Sequence, residues 1–237
     1  MQVRSRVSAI IFALLLTGCR QTTIKEMVNS VYDYTQLAID KVYNNIPDSV
    51  RNRVYTSVED AAKKPNYVFH INLNSSNLSR LPSGFEQFSE LTTLELANNK
   101  FDAVPKEITE IKQIKMLDMS NNKVQRVAEE IYNMTNLKSL NLSGNKLDSL
   151  PSSLGYLTNL EILNLADNKI SHLPNTFAKL KSLRKLSLAG NKLHKIPEFV
   201  CSLNGLKELD LSGLRIENIE KVKIDLARKL PNTQIKM

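Results

Sequence analysis

Apolar residues recur along this chain with one fixed period. Segments opening at Val68, Leu91, Ile114, Leu137, Leu160, Leu183 and Leu206 follow one another at 23 residues without insertion. Within a segment, Leu140 and Leu142 alternate with Ser139, Asn141 and Ser143. That alternation is the signature of a strand with one face buried. In the stretch that follows, Leu147, Leu150, Leu154 and Leu157 supply a second apolar set that must face the first. A unit of this size cannot bury its apolar face alone, so neighbouring units must stack into a continuous core. The expected architecture is an α/β repeat solenoid over residues 68–219, with about seven strands side by side in a parallel concave sheet and the returns on the convex side.

Two polar columns sharpen this picture. Asn99, Asn122, Asn145, Asn168 and Asn191 share one position of the period. The chain turns inward there and would strand buried backbone N–H and C=O groups. A carboxamide both donates and accepts, so it can bridge neighbouring turns. Ser76 and Leu214 replace it at the two ends, where a neighbour is missing. Pro82, Pro105, Pro151, Pro174 and Pro197 open the return, with Ala128 in the third segment. Proline fixes φ and removes a donor that no strand would pair.

These motifs, in the order Leu-x-x-Leu-x-Leu-x-x-Asn-x-Leu-x-x-Leu-Pro, resemble the small-return class of leucine-rich repeats over about residues 57–237. The resemblance implies a horseshoe fold used for protein–protein recognition. Members of the class include binders of Ras-like GTPases and bacterial surface proteins, so the scaffold is fixed far better than the partner.

The flanks read differently. Met1–Arg6 is a short basic start, Val7–Leu16 an apolar run, and Thr17-Gly18-Cys19 follows. This is the layout of an export signal, residues 1–18, and the run is short of the ~20 residues that span a bilayer. Leu16-Thr17-Gly18-Cys19 resembles the bacterial lipobox, which implies a diacylated Cys19 as the new N-terminus and firm membrane anchoring through its lipid. An ordinary signal peptide that ends in Cys is the alternative. In lipoproteins an Asp after the cysteine is the usual inner-membrane retention signal. Arg20 stands there instead, so the resemblance implies outer-membrane or surface placement in the bacterial envelope.

Residues 19–47 carry apolar positions at three- and four-residue spacing, from Ile24 to Ile46, the stripe of a helical linker. A spacer, a cap and a partner helix all fit it. Pro47 ends this stripe. Val50, Val54, Val58 and Ala61 then predict a second helix within an N-terminal cap, residues 48–67. Ser57 to Pro65 resembles the segment that leads into the repeats of many bacterial members of the class. At the other end Val222, Ile224, Leu226 and Leu230 before Pro231 predict a helical cap over residues 220–237.

The leucines account for the fold, so function must lie in the positions between them. Three columns face outward from the expected sheet. One holds Asn72, Glu95, Asp118, Asn141, Asn164, Ser187 and Asp210; the second holds His70, Thr93, Met116, Ser139, Ile162, Lys185 and Glu208. The third, from Asn74 to Ser212, is otherwise Ala and Ser and leaves room for a strand or an extended peptide. From these columns His70, Asn72, Glu95, Met116, Asp118, Asn141, Ile162, Asn164, Lys185 and Asp210 are the candidate contacts for a protein partner. None is aromatic, although interface hot spots favour Trp, Tyr and Arg.

A further column at the sheet edge, Lys100, Lys123, Lys146, Lys169, Lys192 and Arg215, has one sign throughout. Adjacent members repel by about 1 kcal/mol in water. Glu95, Asp118, Asp167 and Asp210 are expected to neutralise part of it, and the side chains either splay into solvent or meet an anionic partner. The formal charge of +8 and pI near 9.4 select no partner class. Nucleic acid is disfavoured because no aromatic residues are interleaved with the basic ones.

No catalytic constellation is legible. His172 and His194 occupy different repeat positions, no nucleophile elbow is present, and two cysteines, Cys19 and Cys201, build no disulfide framework. No metal, cofactor or small-molecule substrate is expected. The function implied is non-enzymatic recognition of a protein on the concave face, at the cell envelope. The alternative is a structural spacer or scaffold that uses no dedicated concave ligand.

Overall fold

The computed structural model describes residues 46–237. They divide between two units, one running to Arg51 and one from Asn52 to Met237. The described part of the first is a single helical turn, α1 (Asp48–Arg51). It is closed by the Pro47 carbonyl, which accepts from the amides of Val50 at 2.8 Å and Arg51 at 3.1 Å. Cys19, the export signal and the apolar stripe up to Val42 lie outside the described residues.

In the second unit nine short strands form one parallel sheet in chain order. They are β1 (Val54–Tyr55), β2 (His70–Asn72), β3 (Thr93–Glu95), β4 (Met116–Asp118), β5 (Ser139–Asn141), β6 (Ile162–Asn164), β7 (Lys185–Ser187), β8 (Glu208–Asp210) and β9 (Gln234–Lys236). From β2 to β8 the register steps by 23 residues. Ile71, Leu94, Leu117, Leu140, Leu163, Leu186 and Leu209 therefore stack in one line, all almost fully buried. The returns are single turns, one α-helical, α3 (Lys106–Thr109), the rest 3-10 helices such as Ser152–Tyr156. Prolines 105, 151, 174 and 197 stand directly before four of them. One contiguous apolar core runs from Tyr55 to Leu230.

The asparagine column ties each repeat to the one before. Asn145 Nδ2 donates to Met119 O, 26 residues back, at 2.9 Å, and within its own turn to Leu142 O at 3.0 Å and Ser143 O at 3.2 Å. Its Oδ1 accepts from the Val124 amide at 2.9 Å. Asn99, Asn122, Asn168 and Asn191 make the same bonds. In the first repeat Ser76 reaches only Asn74 O, at 3.4 Å.

The residue before each ladder position has a left-handed backbone in all seven repeats: Ser75, Asn98, Asn121, Gly144, Asp167, Gly190 and Gly213, with φ between 53° and 73°. This column is a feature that the period-two reading overlooks. Its residue types are those that tolerate this conformation, and they were in plain view.

Both flanks depart from expectation. The helix predicted within residues 48–67 is interrupted, because β1 pairs with β2 and puts Val54 beside His70 and Tyr55 beside Ile71. Tyr55 is buried and extends the stacked line of core residues past the first repeat. Ser57 then accepts from the Asp60 amide and starts the short helix α2 (Val58–Ala61). Sequence spacing reads 50, 54, 58 and 61 as one helical face, but the unpaired edge of β2 offers Val54 a ladder that a helix would leave open. At the C-terminus the predicted helix exists as α4 (Ile219–Lys229). Leu226 and Leu230 are buried, whereas Ile224 is 68% exposed. Residues two apart cannot share a helical face, so Ile224 lies opposite the 222–226–230 line. Beyond the helix, β9 covers the edge of β8, which the sequence reading did not foresee.

Candidate interaction surface

The register places each outward column of candidate contacts in line across the sheet. The open face they build has three zones. At its N-terminal end Glu95 gathers a closed network. Its Oε1 lies 2.6 Å from His70 Nε2, and its Oε2 accepts from Asn72 and Asn74, each at 2.9 Å. Asp118 is likewise occupied, accepting from the Ser120 amide at 2.8 Å and Asn141 Nδ2 at 3.2 Å. These polar groups bond to one another, which fixes their geometry.

The middle zone is apolar. Met116 and Ile162 are 51% and 39% exposed and flank Ser139 in one column. Large side chains held open on a sheet face offer a partner buried area without prior rearrangement. The C-terminal zone is a shallow hollow of about 180 Å³. Ile162, Asn164, Lys185, Asp210, Gln234 and Lys236 contribute to its lining. Lys185 Nζ reaches Glu208 Oε1 at 2.7 Å across the β7–β8 boundary, and Asp210 accepts from the Ser212 amide at 3.0 Å.

Just before the strands, Lys138 and Glu161 pair across adjacent repeats at 2.8 Å. The hydrogen bond from the Lys138 ammonium holds the Glu161 carboxyl below the ordinary glutamate value, and the charges of Lys138 and Arg184 act in the same direction.

The cation column behaves otherwise. Lys100, Lys123, Lys146, Lys169, Lys192 and Arg215 are all exposed, and none joins the ion pairs found among the described residues. Among the described residues no ion pair links Glu95, Asp118, Asp167 or Asp210 to the column. Glu95, Asp118 and Asp210 bond within the open face, and Asp167 forms no ion pair with the column.

The sequence reading also passed over exposed aromatics on the return side. Tyr132 and Tyr156 are each 52% exposed, and Lys179 lies 4.1 Å from the Tyr156 ring centroid. Their signal was positional, since Tyr132 directly follows buried Ile131 and Tyr156 stands between buried Gly155 and Leu157, so both fall outside the inward register.

His172 bonds Ser171 and His194 faces the Arg215 carbonyl. Among the described residues no group of three or more His, Cys, Asp or Glu is placed to hold a metal, and no helix is long and apolar enough to cross a membrane.

Two leucine-rich repeat models match, one over residues 89–147 and 135–193 and a two-copy model over 181–227. Together they span more than half of the sequence, and the chain belongs to the leucine-rich repeat proteins. These are generally recognition modules rather than enzymes, and they commonly bind other proteins.

No curated protein matches the chain. Solved structures match in large number, 458 chains, which marks a widely used scaffold and selects no partner. Two of them place it among its kin. A leucine-rich repeat protein of Leptospira interrogans is similar over 78% of this chain and 52% of its own, with 29% identity and a TM-score of 0.67. The leucine-rich repeat ectodomain of the Arabidopsis thaliana membrane receptor kinase GASSHO1/SCHENGEN3 was solved in complex with CASPARIAN STRIP INTEGRITY FACTOR 2. It is similar over 64% of this chain and 22% of its own, with 26% identity and a TM-score of 0.54. The chain thus spans about half the length of the first and less than a quarter of the second.

Proposed function

We propose that this chain is a lipid-anchored protein of the bacterial envelope, at the outer membrane or cell surface, that recognises a protein partner with the open face of its sheet. The observation that carries the recognition reading is the exposed pair Met116 and Ile162 beside the hollow at Lys185 and Asp210. Apolar surface next to oriented polar groups is the composition of an interface core with its rim. The anchor rests on Leu16-Thr17-Gly18-Cys19, and the bacterial setting on that motif together with the similarity to the Leptospira interrogans protein.

Two experiments test the two halves. Cys19→Ala is expected to abolish incorporation of labelled fatty acid, and continued labelling of that variant would refute the anchor. For recognition, protease is added to intact cells and surface crosslinks are compared between the native chain and Met116→Ser/Ile162→Ser. Accessible repeats, with a specific crosslink lost in the variant, are expected. Unchanged crosslinks would leave the spacer or scaffold role in its place.

A further inference from the structure

The cation column lies in the turns that follow the strands, as Lys100 does after β3 (Thr93–Glu95), separate from the open face, and no ion pair among the described residues accounts for it. Where this sheet has opposite charges in neighbouring repeats it pairs them, as Lys138–Glu161 and Lys185–Glu208 show. Across six successive repeats the column from Lys100 to Arg215 admits no acid, and every member is exposed and without an ion pair among the described residues. Like charges in adjacent repeats oppose one another, so the arrangement leaves a ridge of positive potential.

We propose that this line docks an acidic α-helix of a protein partner, with carboxylates repeated once per helical turn. The argument is one of spacing. The amides of Lys100, Lys123, Lys146, Lys169 and Lys192 each donate to a carbonyl of the preceding repeat, which holds these turns near the ~4.8 Å spacing of parallel strands, so six positions extend ~24 Å. A helix turns every ~5.4 Å, and ~16 residues cover the same length. The mismatch is ~0.6 Å per step and ~3 Å over the column, within the reach of a flexible four-carbon lysine stem. An extended peptide presents same-side residues every ~6.7 Å and drifts by ~2 Å at each step, so it cannot hold all six.

A flat anionic membrane fits less well. Exposed acids flank the line on both sides, Asp167 before it and Asp102, Asp148 and Glu217 after it, and they confine the positive potential to a ridge. No aromatic residue shares the column to stack bases.

The test uses the full chain and two synthetic 18-residue helical peptides of identical composition, one with glutamates along a single face and one with them spread around the helix. Fluorescence anisotropy at physiological salt should show the striped peptide binding at least about tenfold tighter. Lys146→Gln/Lys169→Gln should weaken it about fivefold with an unchanged circular dichroism spectrum, and Lys146→Arg/Lys169→Arg should restore it. Equal affinity for the two peptides would overturn the proposal, and so would no binding of the striped one. Tighter, lysine-dependent binding to phosphatidylglycerol vesicles than to the striped peptide would overturn it in favour of a membrane. The variants leave Met116 and Ile162 intact, so failure here is distinct from failure of the open-face reading.

Discussion

Two columns of this molecule lie one residue apart in sequence and obey different physics. In each of the Asn-Lys pairs from Asn99-Lys100 to Asn191-Lys192, the asparagine is buried and the lysine exposed. The amide's donors and acceptor are consumed by backbone groups of its own and the preceding repeat. The ammonium has no partner in the ion pairs of the described residues. Recurrence at the same period therefore does not mean the same cause. One column recurs because each internal repeat uses its bonds to join the repeat before it, while the side chains of the other join no ion pair among the described residues.

Substitutions along Gly144-Asn145-Lys146 separate these causes. The largest effect is expected for Asn145→Ala. It leaves the Val124 amide without its acceptor and takes from the Met119 carbonyl one of its two amide donors, the other being Asn122, at a cost of about 1–3 kcal/mol. Urea denaturation reads it directly. Ser76→Ala, at the same repeat position but bonded only weakly to Asn74, should stay within about 0.5 kcal/mol. Equal midpoints for the two variants would break the account of the ladder.

Gly144→Ala comes next. Its backbone has φ of +65°, and an added Cβ would come within 2.3 Å of Asn121 Oδ1. A loss of about 1–2 kcal/mol is expected from the conformation, with the clash adding to it. In an Asn121→Gly background the clash is gone and the cost should shrink to the backbone part, a coupling that a double-mutant cycle measures.

Lys146→Gln should shift the midpoint by no more than about 0.5 kcal/mol, and in the stabilising direction, because it removes repulsion from Lys123 and Lys169. A clear destabilisation would show that the column serves the fold after all.

The smallest effect concerns the paired charges. Glu161 is held below the ordinary glutamate value by Lys138, so its contribution is in place at neutral pH. That contribution is lost as pH falls through its lowered value. In Lys138→Gln the carboxyl should titrate nearer the ordinary value, as NMR of the Glu161 side chain would report. An unmoved titration would contradict the pairing.

Much of this fold was legible because it is local. The period of 23, the strand alternation and the buried amide column need only the residues of one unit and its copy. The outward columns followed directly, since a parallel sheet in equal register puts equal repeat positions side by side. What escaped was everything that depends on an edge. Val54 and Tyr55 have helical spacing in sequence and become a strand because β2 needs a neighbour, and Gln234–Lys236 does the same for β8. Side-chain direction also escaped. Glu95 and Asp118 stand within a few residues of the lysines in sequence, yet they turn onto the open face, where amides and a histidine meet them.

The sequence by itself determined the repeat, its period, its core and which residues share a line, because each follows from apolar periodicity and one amide's bonding capacity. Only the tertiary structure decided how the solenoid ends and which charges find partners. Strand pairing at an edge and the choice of an ion pair both depend on groups that stacking brings together from different repeats. No window of one repeat contains that information.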